Sequence, residues 1–292
     1  MIPAHIIRKI RRVHIKSRRT VSSIMAGQYR SVFRGSGMEF EEVREYSPGD
    51  EVKSIDWKVS ARLGKPFVKR FREEREAIVM LLIDMSDSLK FGTFSGQKLE
   101  TVAETASVLA FSAIKNNDKV GVIFFTDQVE KYIPPKKGSA HIWRVIKEIF
   151  TFTPQGRGTD LNAPLEYVAK VLKKRSFVFI LSDFLGPADQ RALGIARRRH
   201  EIIGVNIQDD GALALPKSGI LPVRDLETGG VRWVDGAHVE TRRAYARIQA
   251  GRRAQMRRLF IRSKCDFMEL NTRDSVAEAL SRYFRQREKR LR

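Results

Sequence analysis

The stretch I-D-M-S-D-S-L-K-F-G, residues 83–92, follows the apolar run A-I-V-M-L-L-I, residues 77–83, and interrupts it at Asp84. A continuous apolar run that stops at a carboxylate is typical of a strand buried inside a parallel sheet. Two hydroxyl residues, Ser86 and Ser88, then occupy every second position. Three interpretations are open at this point, because these residues suit a helix cap, a metal site or phosphate chemistry.

Strand and helix signals alternate along the rest of the chain. We predict strands over 77–83, 119–125, 176–182, 201–207 and 265–270, with an antiparallel edge strand over 129–134. Helices are predicted over 97–115, 139–150, 161–174, 187–199, 240–262 and 274–288. Strands separated by helices predict an α/β fold, in which a mostly parallel sheet carries helices on both faces.

Two further polar groups lie on later loops of the chain. Asp183 closes the apolar run F-V-F-I-L-S-D, and the loop Q-G-R-G-T-D-L-N offers Thr159 before a predicted helix. Ligands of open α/β sheets bind at the carboxyl ends of the strands. Magnesium prefers oxygen ligands and needs few carboxylates, so D-x-S-x-S with Thr159 and Asp183 predicts a site for a hard cation.

Other interpretations of Asp84 are weighed against the metal site. A phosphotransferase of the D-x-D type needs a second acid where this chain has Ser86, and the segment G-T-F-S-G-Q-K lacks the Gly-Lys-Ser/Thr ending of a phosphate-binding loop. Helix capping stays open: Asp84 and Ser86 would cap the first helix, Thr159 the helix over 161–174, and Asp183 the helix near Pro187.

The chain divides into three predicted parts: a basic helical segment over 1–30, a small β-rich segment over 31–75, and the α/β domain over 76–292. Two interpretations of the middle segment are open. Its charged residues form ion pairs that lock a small β subdomain in place with a tryptophan anchor, or the same surface binds a partner. The residues concerned are Arg44, Asp56, Trp57 and Arg62.

Positive charge is concentrated at the two ends. The formal net charge is +21, yet residues 1–34 hold nine Lys or Arg and no acid, and residues 240–292 hold sixteen against six acids. Basic ends suit a phosphate backbone, an anionic membrane surface or an acidic protein. An alternative function is therefore nucleic-acid or anionic-surface binding through the termini. The absence of any helix-turn-helix, RNA-binding or zinc motif argues against nucleic acid.

The remaining features suggest a cytoplasmic protein that is not an enzyme. A single cysteine, Cys265, excludes a disulfide framework and is expected in the core. The N-terminus lacks the apolar region of a secretory signal, and no apolar run approaches the length of a membrane span. Nothing in the sequence pairs a nucleophile with a base as hydrolysis requires.

The pattern D-x-S-x-S…T…D resembles the metal-ion-dependent adhesion site of von Willebrand factor A domains. This resemblance implies a Rossmann-like sheet and a bound Mg²⁺ or Mn²⁺ whose coordination is completed by an acid from a partner protein. It implies the ligands Asp84, Ser86, Ser88, Thr159 and Asp183.

A second resemblance is more specific. The segment R-G-S-G-M-E-F-E-E-V-R-E-Y-S-P-G-D-E-V-K-S-I-D-W-K-V-S-A-R is similar to the diagnostic segment of the bacterial family called domain of unknown function 58. The segments N-N-D-K-V-G-V-I-F-F-T-D, G-R-G-T-D-L and F-I-L-S-D-F-L agree with it. Members accompany an AAA+ ATPase of the MoxR type. The resemblance therefore implies an adaptor that binds this ATPase or its client protein.

Overall fold

The strand that precedes Asp84 lies at the centre of the molecule and divides two hydrophobic cores. In the computed structural model, which describes residues 4–21, 29, 32, 37–74, 76–92, 98–224 and 229–291, this strand spans Ile78–Asp84. Its side chains alternate between the faces of the sheet. Leu81 and Ile83 enter one core and Met80 and Leu82 the other, all fully buried. Burial on both faces explains the uninterrupted apolar sequence.

Six strands form the main sheet in the described part of the chain. In spatial order they are β10 (Asp266–Asn271), β7 (Glu201–Gln208), β6 (Phe177–Ser182), β3 (Ile78–Asp84), β4 (Lys119–Phe125) and β5 (Val129–Lys136). Neighbours are parallel except for β5, which pairs antiparallel with β4 at one edge. Pro134 and Pro135 lie in β5. The order runs outward from β3 in both directions, as in doubly wound sheets.

Helices cover both faces of this sheet. One face carries α3 (Lys98–Lys115), α4 (Ser139–Thr151) and α9 (Val276–Leu291), and the other α5 (Asn162–Val171), α6 (Gln190–Arg199) and α8 (Val239–Arg262). Each supplies apolar side chains to the core beneath it. The predicted α/β fold, a mostly parallel sheet with helices on both faces, is confirmed by this arrangement. Cys265 is buried, as expected of a core residue.

The basic N-terminal helix, α1 (Ala4–Thr20), packs on the domain. Ile10 and Val13 are buried, and the His14 ring stacks on Trp143 of α4 with ring centres 4.4 Å apart. Lys16 Nζ lies 2.8 Å from a carboxylate oxygen of Glu104 on α3. The apolar side of this helix therefore faces the domain. Residues 22–28 of the predicted helical segment lie outside the described residues.

Residues 34–77 form a compact unit separate from the one that contains residues 1–33 and 78–292. Within it β1 (Gly37–Glu45) pairs antiparallel with β2 (Phe67–Glu74), and α2 (Trp57–Leu63) follows a short 3-10 turn over Val52–Ser54. The expectation of strands and turns alone misses α2. The Asp56 side chain caps this helix by accepting the backbone N–H of Lys58 and Val59, a local signal that the sequence contains.

Two small elements were not predicted from the sequence. A hairpin joins β8 (Ile220–Arg224) to β9 (Val231–Asp235), and a short helix, α7, spans Asp210–Leu213. Both lie where the sequence shows only weak apolar alternation. In the described residues, none of the helices combines the length and apolar character that crossing a membrane requires.

Candidate functional site

Asp84 lies at the carboxyl end of β3 and is completely buried. Its Oδ1 accepts the backbone N–H of Ser86 at 2.9 Å, which turns the chain sharply after the strand. Its Oδ2 accepts the hydroxyl of Ser182 at 2.6 Å and lies 3.5 Å from the hydroxyl of Thr159. The turn after β3, the end of β6 and the loop between α4 and α5 therefore meet at one carboxylate.

The two serines of the D-x-S-x-S stretch point into the same buried region. Ser86 and Ser88 are both buried, and their Oγ atoms are 3.0 Å apart. A 3-10 turn over Asp87–Lys90 begins immediately after Ser86, which makes no side-chain capping bond to it. The capping interpretation of Ser86 is therefore wrong, and its hydroxyl is directed to Ser88 instead.

Asp183 follows β6 at a strained turn. Phe184 has a φ of 54°, in the left-handed region that side chains other than glycine seldom adopt, and its N–H donates to Ser182 Oγ at 2.9 Å. The ring of Phe184 is buried against Phe260. Packing of this ring and the bond to Ser182 hold the turn, and the turn holds Asp183 at the edge of the sheet.

Lys98, which sequence reasoning missed, pairs with Asp183. Its Nζ lies 2.8 Å from Asp183 Oδ2, and the two side chains are only 3% and 4% exposed. The other carboxylate oxygen, Asp183 Oδ1, is buried and has no hydrogen-bond partner in the described structure. A lysine in the first turn of a helix opposes the helix dipole, so Lys98 at the start of α3 was the available signal.

The loop that carries Thr159 is positioned by contacts with its neighbours. The carboxylate of Glu130 on β5 accepts the N–H groups of Gln155 and Gly156 and the hydroxyl of Thr126. Partial burial acts to raise the pKa of Glu130, but these N–H and hydroxyl donors hold the pKa below its ordinary value. Sequence reasoning missed Glu130, which no local motif marks.

The Thr159 loop also packs closely on the turn that follows Asp183. A Cβ on Gly186 would lie 2.0 Å from the carbonyl oxygen of Thr159, so only glycine permits this approach. The N–H of Leu161 donates to the carbonyl of Pro187 at 3.2 Å. These contacts fix the Thr159 loop against the turn that follows Asp183.

The capping alternatives for Thr159 and Asp183 are wrong. Asp160, next to Thr159, accepts the N–H of Asn162 at the start of α5. Asp189 caps α6 by accepting the N–H of Arg191, and Asp183 bonds Lys98 instead. Thr159 and Asp183 therefore do not cap these helices, and their side chains lie at the edge of the sheet.

The electrostatics of the site centre on Asp84. Burial, followed by the nearby charge of Asp183, raises the pKa of Asp84 to about 7, although the donors Ser182 and Ser86 act in the opposite direction. Two buried carboxylates close enough to repel each other are stabilised by positive charge. In this structure that charge is the Lys98 ammonium.

The chemistry of the donor set fits a hard cation. Carboxylate oxygens of Asp84 and Asp183 and the hydroxyls of Ser86, Ser88 and Thr159 are all oxygen donors, and Asp183 Oδ1 is a buried acceptor that lacks a partner among the described atoms. In the part of the chain that the structure describes, no group of three or more His, Cys, Asp or Glu residues forms a metal cluster. A cation here would therefore depend on hydroxyl ligands.

The predicted partner surface of the 34–77 unit is mainly held by internal bonds. Arg44 Nη2 lies 2.6 Å from Asp50, and Asp56 caps α2 and pairs with Lys69 at 3.1 Å. The predicted tryptophan anchor is wrong, because Trp57 is 68% exposed. Arg62 is exposed on α2. The ion-pair interpretation therefore fits Arg44 and Asp56. For the exposed Trp57 and Arg62, partner binding is the interpretation to test.

Comparisons with solved structures give likenesses of low identity. The conserved hypothetical protein BatB from Bacteroides thetaiotaomicron is 15% identical, with 73% of this chain and 99% of that chain covered and a TM-score of 0.46. The SpRpn10 VWA domain is 11% identical, with 70% and 94% covered and a TM-score of 0.40.

Comparisons of sequence identify relatives and a family. The uncharacterized protein Rv1480 of Mycobacterium tuberculosis strain H37Rv is 29% identical over 275 residues, 92% of this chain and 86% of that protein. The uncharacterized protein YeaD of Bacillus subtilis strain 168 is 31% identical over 107 residues, 37% of this chain and 25% of that protein. The profile of the family described as Protein of unknown function DUF58 matches residues 42–255, and the chain therefore belongs to this family, as its motifs predict.

Proposed function

We propose that this chain is a protein-binding domain that holds Mg²⁺ or Mn²⁺ at the edge of its sheet and takes an acidic group of a partner protein as a further ligand. The observation that carries the proposal is the meeting of the end of β6 and the Thr159 loop at Asp84, where the hydroxyls of Ser182 and Thr159 approach one carboxylate oxygen. When bound, the cation would supply an electrophilic centre. With few charges given by the protein, such a centre attracts a carboxylate.

Each residue of the site has a defined part in this proposal. The cation would be held by Asp84, Ser86, Ser88, Thr159 and Asp183. Ser182 orients Asp84 through the 2.6 Å bond, and Glu130 orders the loop of Thr159. The chain binds and does not catalyse, because the second acid that phosphoryl transfer requires is replaced by Ser86.

The partner in this proposal is a MoxR-type AAA+ ATPase or its client. Membership of the family supports it, because the resemblance of the sequence implies that partnership. The test is capture of a purified MoxR-type ATPase by this protein with Mg²⁺ and with EDTA. Loss of the ATPase on chelation, and in the Asp84→Ala variant, is the expected result. Equal capture under all conditions would separate the partnership from the metal.

Cation binding itself is tested by calorimetry or by Mn²⁺ electron paramagnetic resonance. Asp84→Ala should lower the affinity by at least about a hundredfold, because a charged ligand to the cation is lost. Asp87→Ala is the matched control: Asp87 lies three residues further along the chain, in the 3-10 turn that follows β3, and its carboxylate bonds the exposed Lys90. Equal Mn²⁺ affinity of wild type and Asp84→Ala would contradict the proposal.

A second candidate function is supported by the surface of α8. Several of its arginines are exposed, and a domain with such a helix suits an anionic surface: Arg243, Arg247, Arg252, Arg257, Arg258 and Arg262. Binding of this kind depends on ionic strength and needs no cation at Asp84. These two properties separate it from the first candidate.

A further inference from the structure

Lys98 is not one of the proposed ligands, although its ammonium bonds one of them, Asp183. Lys98 is held from two sides: its Nζ is 2.8 Å from Asp183 Oδ2 and 5.8 Å from the centre of the Phe91 ring. Both charged side chains are almost fully buried. A buried ion pair of this kind seldom adds stability over an apolar pair of the same shape, so stability alone does not account for it.

The ammonium of Lys98 also lies close enough to the candidate ligands to repel a divalent cation bound there. Lys98 bonds a predicted metal ligand directly, and charges repel strongly where water is excluded. Asp183 presents one oxygen to the ammonium and keeps the other, Oδ1, buried without a partner among the described residues. Lys98 thus neutralises the charge of this carboxylate and bonds only one of its two oxygens.

We propose that Lys98 is a built-in counter-ion that occupies the site in the metal-free protein and competes with the divalent cation, so that cation binding requires the Lys98–Asp183 bond to open. The inference rests on the proposed function, because it concerns the same site. The affinity of the site for Mg²⁺ would then depend on the competition between Mg²⁺ and the ammonium of Lys98 for Asp183. The released ammonium would leave Asp183 free to serve the metal.

The test compares neutral variants of Lys98 with the wild type by Mn²⁺ titration. Lys98→Met keeps the length of the side chain and removes its charge, and should raise the Mn²⁺ affinity by at least about tenfold. Lys98→Gln serves the same purpose with a polar end. Lys90→Met is the matched control, because Lys90 bonds Asp87 on the same turn but is 54% exposed. Solvent screening should hold its effect to about twofold or less.

The outcomes separate this inference from the function on which it rests. If the wild type binds Mn²⁺ and both neutral variants bind it equally or more weakly, Lys98 is not a competitor, while the proposed function stands. If neither the wild type nor the folded neutral variants bind Mn²⁺, the proposed function and this inference both fail. Circular dichroism in EDTA establishes folding of each variant.

A measurement on the wild type reports on the Lys98–Asp183 bond directly. In ¹⁵N-lysine-labelled protein in EDTA, a buried ammonium bonded to a carboxylate should give a slowly exchanging NMR signal, which Lys98→Arg assigns by its loss. Saturating Mg²⁺ should remove or strongly shift that signal. A signal that is unchanged by Mg²⁺ at concentrations that saturate the site would overturn the inference.

Discussion

At the scale of single residues, the site depends on backbone proximity as much as on its polar side chains. Gly186 allows the turn after Asp183 to lie against the carbonyl of Thr159. Phe184 accepts a left-handed backbone because its ring is buried and its N–H is bonded. Both residues act on the candidate ligands by fixing where the loops run.

Gly186→Ala should separate these two loops. Its new Cβ would overlap the Thr159 backbone, which cannot yield like the end of a side chain, and we expect a loss of about 2 kcal/mol or more in the free energy of unfolding. Mn²⁺ affinity should fall as well. Gly194→Ala is the matched control, because nothing lies within 4 Å of its Cβ position in α6 and alanine favours the helix by about 1 kcal/mol. Urea unfolding measures both; equal stability of Gly186→Ala and wild type would refute the steric argument.

His200 is expected to make stability depend on pH. It is buried, and burial, followed by the charges of Arg199 and Arg175, lowers its pKa to about 4. Because the unfolded histidine titrates near 6.5, the unfolded state binds more protons between pH 4 and 6.5, and stability falls as the pH drops through this range. The loss attributable to His200 is on the order of 3 kcal/mol.

His200→Leu should flatten this part of the stability profile, measured by urea unfolding at pH 7.5 and 4.5. The comparison of slopes is independent of any packing cost, which is the same at both pH values. His238→Leu is the control, because His238 is exposed. Parallel profiles for the wild type and His200→Leu would show that His200 does not titrate as a buried group.

At the scale of elements, the sheet was predictable because its strands are buried on both faces. Such strands need continuous apolar runs, and β3, β4 and β6 each have one. The strands β8 and β9 are short and largely exposed, so they need no continuous apolar run. The sequence pattern therefore gives little indication of this hairpin. The helix α2 follows a mixed-charge segment in which turn residues dominate the pattern.

The positions of the candidate ligands were predictable from the sequence, but the residues that support them were not. Asp84, Thr159 and Asp183 follow strands or precede helices, so sequence order places them at one edge. Lys98 and Glu130 act across distances of 85 and 26 residues, to Asp183 and Gly156 respectively. Partners so far apart in the sequence are set by tertiary packing, and a single sequence carries no sign of the pairing.

At the scale of the whole molecule, the net charge of +21 is only partly available to a partner. Some C-terminal basic residues are engaged inside the fold. Arg287 bonds Asp266 of β10 and lies 2.9 Å from Glu201 of β7, and Arg290 lies 3.0 Å from Asp266. These pairs join α9 to the edge of the sheet. The exposed arginines of α8 remain as the main basic surface of the C-terminal part.

Binding to an anionic polymer should therefore reflect charge and not the site at Asp84. We expect retention on heparin to fall steeply with salt concentration. Binding releases counter-ions from the polymer, and this release becomes less favourable as the salt concentration rises. The salt concentration at elution should be the same with Mg²⁺, with EDTA and for Asp84→Ala. A combined Arg258→Gln and Arg262→Gln variant should elute earlier. A shift in elution caused by chelation would instead connect the basic surface to the metal site.

The edge strand β5 has a consequence for assembly. Pro134 and Pro135 have no N–H to offer, and Lys131 and Lys136 add charge along the same strand. An incoming strand would therefore meet missing donors and positive charge where it needs a regular ladder. The prolines and lysines of β5 therefore prevent another strand from extending the sheet on this side. A partner that binds at the carboxyl edge would not bind by adding a strand to β5.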